Sequence, residues 1–84
     1  MPSRKRAKEG EEFYFCNGTI ARSVAECRKQ LERLSHDEFV YHVNDAKNDF
    51  YNWINSCLDP KLAQKIKDVR SQNEMIELLK GEAT

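Results

Sequence analysis

The sequence predicts a mostly α domain in which a short N-terminal β-hairpin, about residues 12–21, packs on a compact cluster of about five short helices. Three observations predict it. Ser-x-x-Glu boxes recur at Ser23–Glu26, Ser35–Glu38 and Ser71–Glu74. In each, the serine hydroxyl can accept a free N–H of the first helical turn while the glutamate reaches back to the serine. Apolar residues then follow every start at three- and four-residue spacing, the period of a half-buried helix. Ahead of them, Phe13 and Phe15 alternate with Tyr14 and lead to Asn17-Gly18, a strong short hairpin signal.

Residues 1–11 have no large apolar side chain apart from Met1, so nothing there can offset the entropy of ordering. They are expected to form a disordered charged tail ahead of a single domain over residues 12–84. In the hairpin, a two-residue Asn17-Gly18 loop, with φ > 0 at both positions, would pair Cys16 with Thr19 and Phe15 with Ile20. Its Phe13-Phe15-Ile20 face would then lie on the helices, since a lone hairpin is marginal in water.

The helices are expected over roughly 23–34, 36–44, 49–58, 60–69 and 72–80. The first carries Val24, Cys27, Leu31 and Leu34 on one stripe, and the second Phe39, His42 and Val43. The third is capped by Asn48 or Asp49 and places Phe50, Trp53, Ile54, Cys57 and Leu58 at i, i+3, i+4, i+7 and i+8, all on one face. Asp59-Pro60 starts the fourth, a capping carboxylate followed by the residue suited to the first helical position. That helix offers Leu62, Ala63, Ile66 and Val69. The last offers Met75, Ile76, Leu78 and Leu79, with Gly81 as its stop. The core is expected to comprise Phe15, Ile20, Val24, Cys27, Leu31, Phe39, Phe50, Trp53, Ile54, Leu62, Ile66 and Leu79.

The 84 residues are 39% apolar and 33% charged, with 14 basic and 14 acidic side chains and no formal net charge. That balance suits helices with one buried stripe each and argues against a dedicated nucleic-acid binder, which is usually basic overall. Cys16, Cys27 and Cys57 are odd in number and widely spaced, so they form no disulfide framework and suit a reducing compartment. No apolar run reaches the length of a membrane span, and no signal-peptide core follows Met1. The expectation is a cytoplasmic protein.

Catalytic and metal chemistry find little support. Cys16, Cys27, His36, His42 and Cys57 include no C-x2-C or H-x3-H pair, so neither a metal nor another cofactor is expected. Cys57 and His42 could meet across the second and third helices, but Cys57 lies on an apolar stripe that disfavours the thiolate. His42, on the inner face beside Phe39 and Val43, is read instead as a structural residue that hydrogen-bonds Asn48 or Asp49 and fixes the 44–48 loop. Trp53 is structural for the same reason of placement. No catalytic residue is assigned, and an enzyme is not expected.

Two surfaces remain. Phe13, Tyr14, Tyr41 and Tyr51 exceed what so small a core needs, and exposed aromatics favour partner contacts or self-association. The leading expectation is therefore a non-enzymatic interaction module for a protein partner or a second copy. Alternatively, Arg4, Lys5, Arg6 and Lys8 of the tail, with Arg22, Lys29 and Arg33 of the first helical region, could track phosphates. Glu9, Glu11, Glu12, Glu26 and Glu32 interrupt that basic track. Neither a membrane nor a small-molecule substrate is expected.

The segments Phe13-x-Phe15-x2-Gly18-x-Ile20, Phe39-x-Tyr41-His42-Val43, Asn48-Asp49-Phe50-x2-Trp53-Ile54 and Asp59-x2-Leu62-Ala63 together resemble a small uncharacterised domain family of archaea and bacteria. The resemblance covers roughly residues 13–70. It implies an accessory or interaction module and carries no known activity. Cys16-Asn17 departs from the acidic residue expected beside the glycine, although Asn suits the same turn.

Overall fold

The computed structural model describes the backbone of residues 6–82 and the side chains of residues 6–80. A short hairpin, β1 (Phe13–Tyr14) and β2 (Ile20–Ala21), precedes five helices: α1 (Val24–Arg33), α2 (His36–His42), α3 (Asp49–Cys57), α4 (Pro60–Ile66) and α5 (Gln72–Glu82). This is the expected mostly α arrangement. α3 packs along α4, α1 along α5, and β2 against α1.

The helices begin where their caps stand. Ser23 Oγ accepts from Glu26 N–H (3.1 Å), while the Glu26 carboxylate reaches one residue further back, to Arg22 N–H (2.9 Å). Ser35 and Glu38 form the complete reciprocal box. Ser71 Oγ accepts from Glu74 N–H (3.3 Å). Asn48, rather than Asp49, caps α3 through Tyr51 N–H (3.0 Å), and Asp59 caps α4 ahead of Pro60. α4 ends three residues earlier than its stripe implied. Val69 is buried in the α4–α5 junction, its N–H bonded to Ile66 C=O (3.2 Å). α5 continues through Gly81.

The hairpin differs from expectation in register. Phe13 pairs with Ala21 and Tyr14 with Ile20. Phe15 N–H donates to Thr19 C=O (2.9 Å) and Gly18 N–H to Phe15 C=O (3.0 Å), so the loop is Cys16-Asn17-Gly18, one residue longer than a two-residue turn. Within this loop Gly18 alone has positive φ (+91°). This is a turn closed by a glycine bulge, in which Asn17 keeps ordinary backbone angles and its Oδ1 accepts from Thr19 N–H (3.0 Å) and Oγ1 (2.7 Å). A one-residue slip exchanges the faces of a strand. Ala21 is therefore fully buried, whereas Ile20, expected in the core, is 37% exposed.

The other eleven expected core residues are buried, joined by Phe13, Ala21, Leu34, Val43, Leu58, Ala63, Val69 and Met75. Residues 1–5 of the expected tail lie outside the described residues. Ala7 N–H donates to Arg22 C=O (2.7 Å) and Arg6 bridges Ser23, so this segment runs antiparallel to residues 22–23. Ladder bonds alternate sides along a strand. Because Ala21 faces β1, the Arg22 carbonyl points to the opposite edge, which residues 6–7 cover. A turn at Gly10 (φ +88°) then leads the chain back to β1.

Candidate functional site

A polar knot forms around the buried His42 ring. Cys16, at the hairpin turn, donates its backbone N–H to His42 Nε2 (3.0 Å), and His42 Nδ1 lies 3.0 Å from Asp49 Oδ2. A backbone N–H can only donate, so Nε2 accepts and Nδ1 carries the proton that Asp49 receives. Lys47 Nζ reaches the same Asp49 oxygen (3.0 Å) and stands 4.5 Å from the centre of the Tyr41 ring. The Cys16 thiol points at Glu38 C=O (3.9 Å), one turn earlier on α2. The knot thereby ties the hairpin turn, the end of α2 and the start of α3 to one imidazole.

Aromatic rings enclose His42. Phe13, Phe50 and Phe15 have centroids 5.2, 5.4 and 5.9 Å from it, and Tyr41 lies edge-on at 5.1 Å. Both imidazole nitrogens are engaged, so the ring has none to offer Cys57. Burial, with Glu11 second, raises the Cys57 thiol above its ordinary range. The buried Cys27 thiol is pushed up much further by desolvation.

The other residues read as structural hold chain segments together. Asn48 Oδ1 caps α3 while its Nδ2 donates to Ile66 C=O (2.9 Å), joining the 44–48 loop to the end of α4. That loop is closed by mutual Asn44–Lys47 backbone bonds and by Asn44 Nδ2 on Val40 C=O (2.9 Å). Trp53 Nε1–H donates to Glu11 C=O (2.7 Å), fixing the entry to β1. Sequence reasoning missed Gln72, whose Nε2 donates to both Leu31 and Leu34 C=O (2.8 and 2.9 Å) at the end of α1. It also missed Cys16 as the partner of His42, because the donor is backbone.

The four aromatics singled out for partner contact separate. Tyr14 is 65% exposed and Tyr41 59% exposed. Tyr51 is half-buried against the core, its hydroxyl accepting weakly from Gln64 Nε2 (3.5 Å). Phe13 is corrected: only 7% exposed, it stacks on Phe50 at 4.8 Å. It shares a face with Phe15 by the two-residue strand period. Ile20 lies directly across from Tyr14, and Val40 precedes Tyr41 on α2, so apolar surface gathers on each element.

Of the basic residues, Arg4 and Lys5 lie outside the described residues. Arg6, Lys8, Arg22, Lys29 and Arg33 are exposed, and Arg28 is paired with Glu32 (3.0 Å). A shallow cleft of about 210 Å³ opens beside the 44–48 loop and the α4–α5 junction. Arg70 pairs with Asp45 there, and its asparagines are engaged in the bonds above. Among the described residues, no group of three or more His, Cys, Asp or Glu side chains is gathered to hold a metal ion, and no helix is long and apolar enough to cross a membrane.

Compared with known protein families, curated proteins and solved structures, the chain shows no match.

Proposed function

We propose that this is a non-enzymatic interaction module that binds a protein partner, or a second copy of itself, through Tyr14 and Tyr41. One observation supports the reading above the others. These two large rings stand mostly in solvent on elements that the Cys16–His42–Asp49 knot connects. Each has an aliphatic neighbour, Ile20 or Val40, and Tyr41 is steadied by the Lys47 ammonium. A ring already held in place loses little freedom on binding, which favours an anchor that fills a partner's pocket. Charged side chains around the anchors would set specificity.

The test is sedimentation of the full chain across a range of concentrations, followed by the same measurement with any purified partner. Tyr14→Ala and Tyr41→Ala, each still folded by circular dichroism, should abolish the association. Association unchanged in both variants would refute the assignment of the surface.

A second reading rests on the pairing of residues 6–7 with 22–23, which brings Arg6, Lys8 and Arg22 to one edge of the hairpin. Such a cluster could contact phosphates. Fluorescence anisotropy with duplex DNA and single-stranded RNA at about 50 and about 200 mM salt separates the two readings, because phosphate contacts weaken steeply over that range.

A further inference from the structure

We propose that His42 is a proton-operated latch on the hairpin turn: a proton added at Nε2 releases the Cys16 N–H and frees the 16–18 turn from α2. The inference stands apart from the partner reading, since it concerns a contact within the chain. It rests on the direction of two hydrogen bonds. In the latched form, Nδ1–H donates to Asp49 and the Nε2 lone pair accepts from Cys16. Protonation turns Nε2 into a donor. Two N–H groups then face each other across 3.0 Å, and the contact becomes repulsive. The imidazole is buried, so a new donor at Nε2 has little access to water while the turn stays in place.

The surrounding groups make the effect local. From α3, Asp49 accepts from Nδ1–H in either protonation state, so that bond survives and holds the ring on α2 and α3. Lys47, in the loop between them, shares the same Asp49 oxygen and moderates its pull. From α2, Tyr41 presents its ring edge-on, and Glu38 contributes its backbone carbonyl to the Cys16 thiol. From the hairpin, the groups against the ring are the Phe13 and Phe15 rings and Cys16 itself. Latched and released forms therefore differ mainly at Nε2. The contact with the Cys16 N–H needs a lone pair at Nε2, so a proton placed there works against it. By linkage the released population grows as pH falls, by up to about tenfold per pH unit for one proton.

The experiment follows the hydrogen-exchange protection factor of the Cys16 amide in the full chain between about pH 8 and about pH 5, the span over which histidines change charge. The Cys27 and Val43 amides, bonded to Ser23 and Phe39 carbonyls, serve as internal references. Cys16 protection should fall by up to about tenfold per pH unit while both references hold. Constant Cys16 protection would overturn the proposal, and so would equal loss at all three amides, which marks global unfolding. His42→Gln can still offer an acceptor oxygen but does not titrate, and its Cys16 protection should be independent of pH. If that variant does not fold, ring ¹⁵N shifts of the natural chain decide. Nε2 should pass from an acceptor to a protonated shift in step with Cys16 release, and protonation with the Cys16 amide unmoved refutes the latch.

Discussion

Where β1 crosses α2 and α3, the core is a set of oriented rings: Phe50 stacks on Phe13 at 4.8 Å and on Phe39 at 6.3 Å, with Phe15, His42 and Trp53 around them. Where α1 meets α5, the buried side chains are Val24, Cys27, Leu31, Met75 and Leu79, without a ring among them. Each end is locked by polar bonds between distant parts of the chain. His42 and Trp53 do this at the ring end, and Gln72 does it at the aliphatic end. The chemistry of the packing differs in consequence. Ring pairs prefer particular angles and fix how their elements face each other. Aliphatic side chains accept many arrangements of similar volume. The ring end also carries the exposed Tyr14 and Tyr41, so the orientation of the proposed binding surface depends on the more exacting of the two packings.

Substitutions can break this contrast, beginning with the largest. Phe50→Ala removes the ring that touches four others and should cost about 3–5 kcal/mol in chemical denaturation, a large part of the margin of a chain this short. Loss below about 1 kcal/mol would mean that the ring cluster is not the centre of the fold. His42→Ala leaves the Cys16 N–H without its acceptor and Asp49 without its donor, and should cost about 1–3 kcal/mol in thermal melts. Its effect on amide exchange should be greatest in the hairpin.

At the aliphatic end, Cys27 supplies an alkaline sensitivity. Its folded thiol resists ionisation because it is buried, whereas the unfolded thiol ionises near pH 8.5. Stability owed to this difference is fully present below that pH. It is lost as pH rises, by up to about 1.4 kcal/mol per unit. Cys57 is shifted in the same direction, so Cys27→Ala should remove most, rather than all, of the slope measured by urea denaturation between about pH 8 and about pH 10. Gln72→Ala should cost about 1 kcal/mol by uncapping the Leu31 and Leu34 carbonyls. It should lower amide protection at the end of α1 while sparing the hairpin. Tyr14→Ala and Tyr41→Ala should each stay within about 0.5 kcal/mol of the natural chain, as surface changes do. A larger loss would move those rings from binding to stability.

The helix starts were legible because a cap is a local device, complete within four residues. Ser23, Ser35, Asn48, Asp59 and Ser71 each announce a helix without reference to the rest of the chain. The stripes behind them carry all ten expected helical core residues inward, and strand alternation carries Phe15. The hairpin register was not legible, because Asn17-Gly18 serves equally as a two-residue turn or as the end of a three-residue loop. What separates these is whether Ala21 or Ile20 fits beneath α1, a tertiary matter. His42 could be placed on an inner face from its neighbours. Its bond to Cys16 could not, since a backbone N–H is the same in every residue but proline. The long reach of Gln72 to α1 has no counterpart in local pattern. The burial of Phe13 is legible from strand alternation, which puts it on the same face as Phe15.

The three-residue loop has a further consequence for insertions and deletions. Phe15 and Thr19 would still face each other if Cys16 were excised, because Asn17-Gly18 alone can close a two-residue turn between them. Both strands would keep their registers and their buried faces. Cys16 is thus supernumerary to the hairpin and supplies the amide that reaches α2. A one-residue deletion there would spare the ribbon and sever its tether, separating by chain length two roles that no substitution at Cys16 other than proline can part.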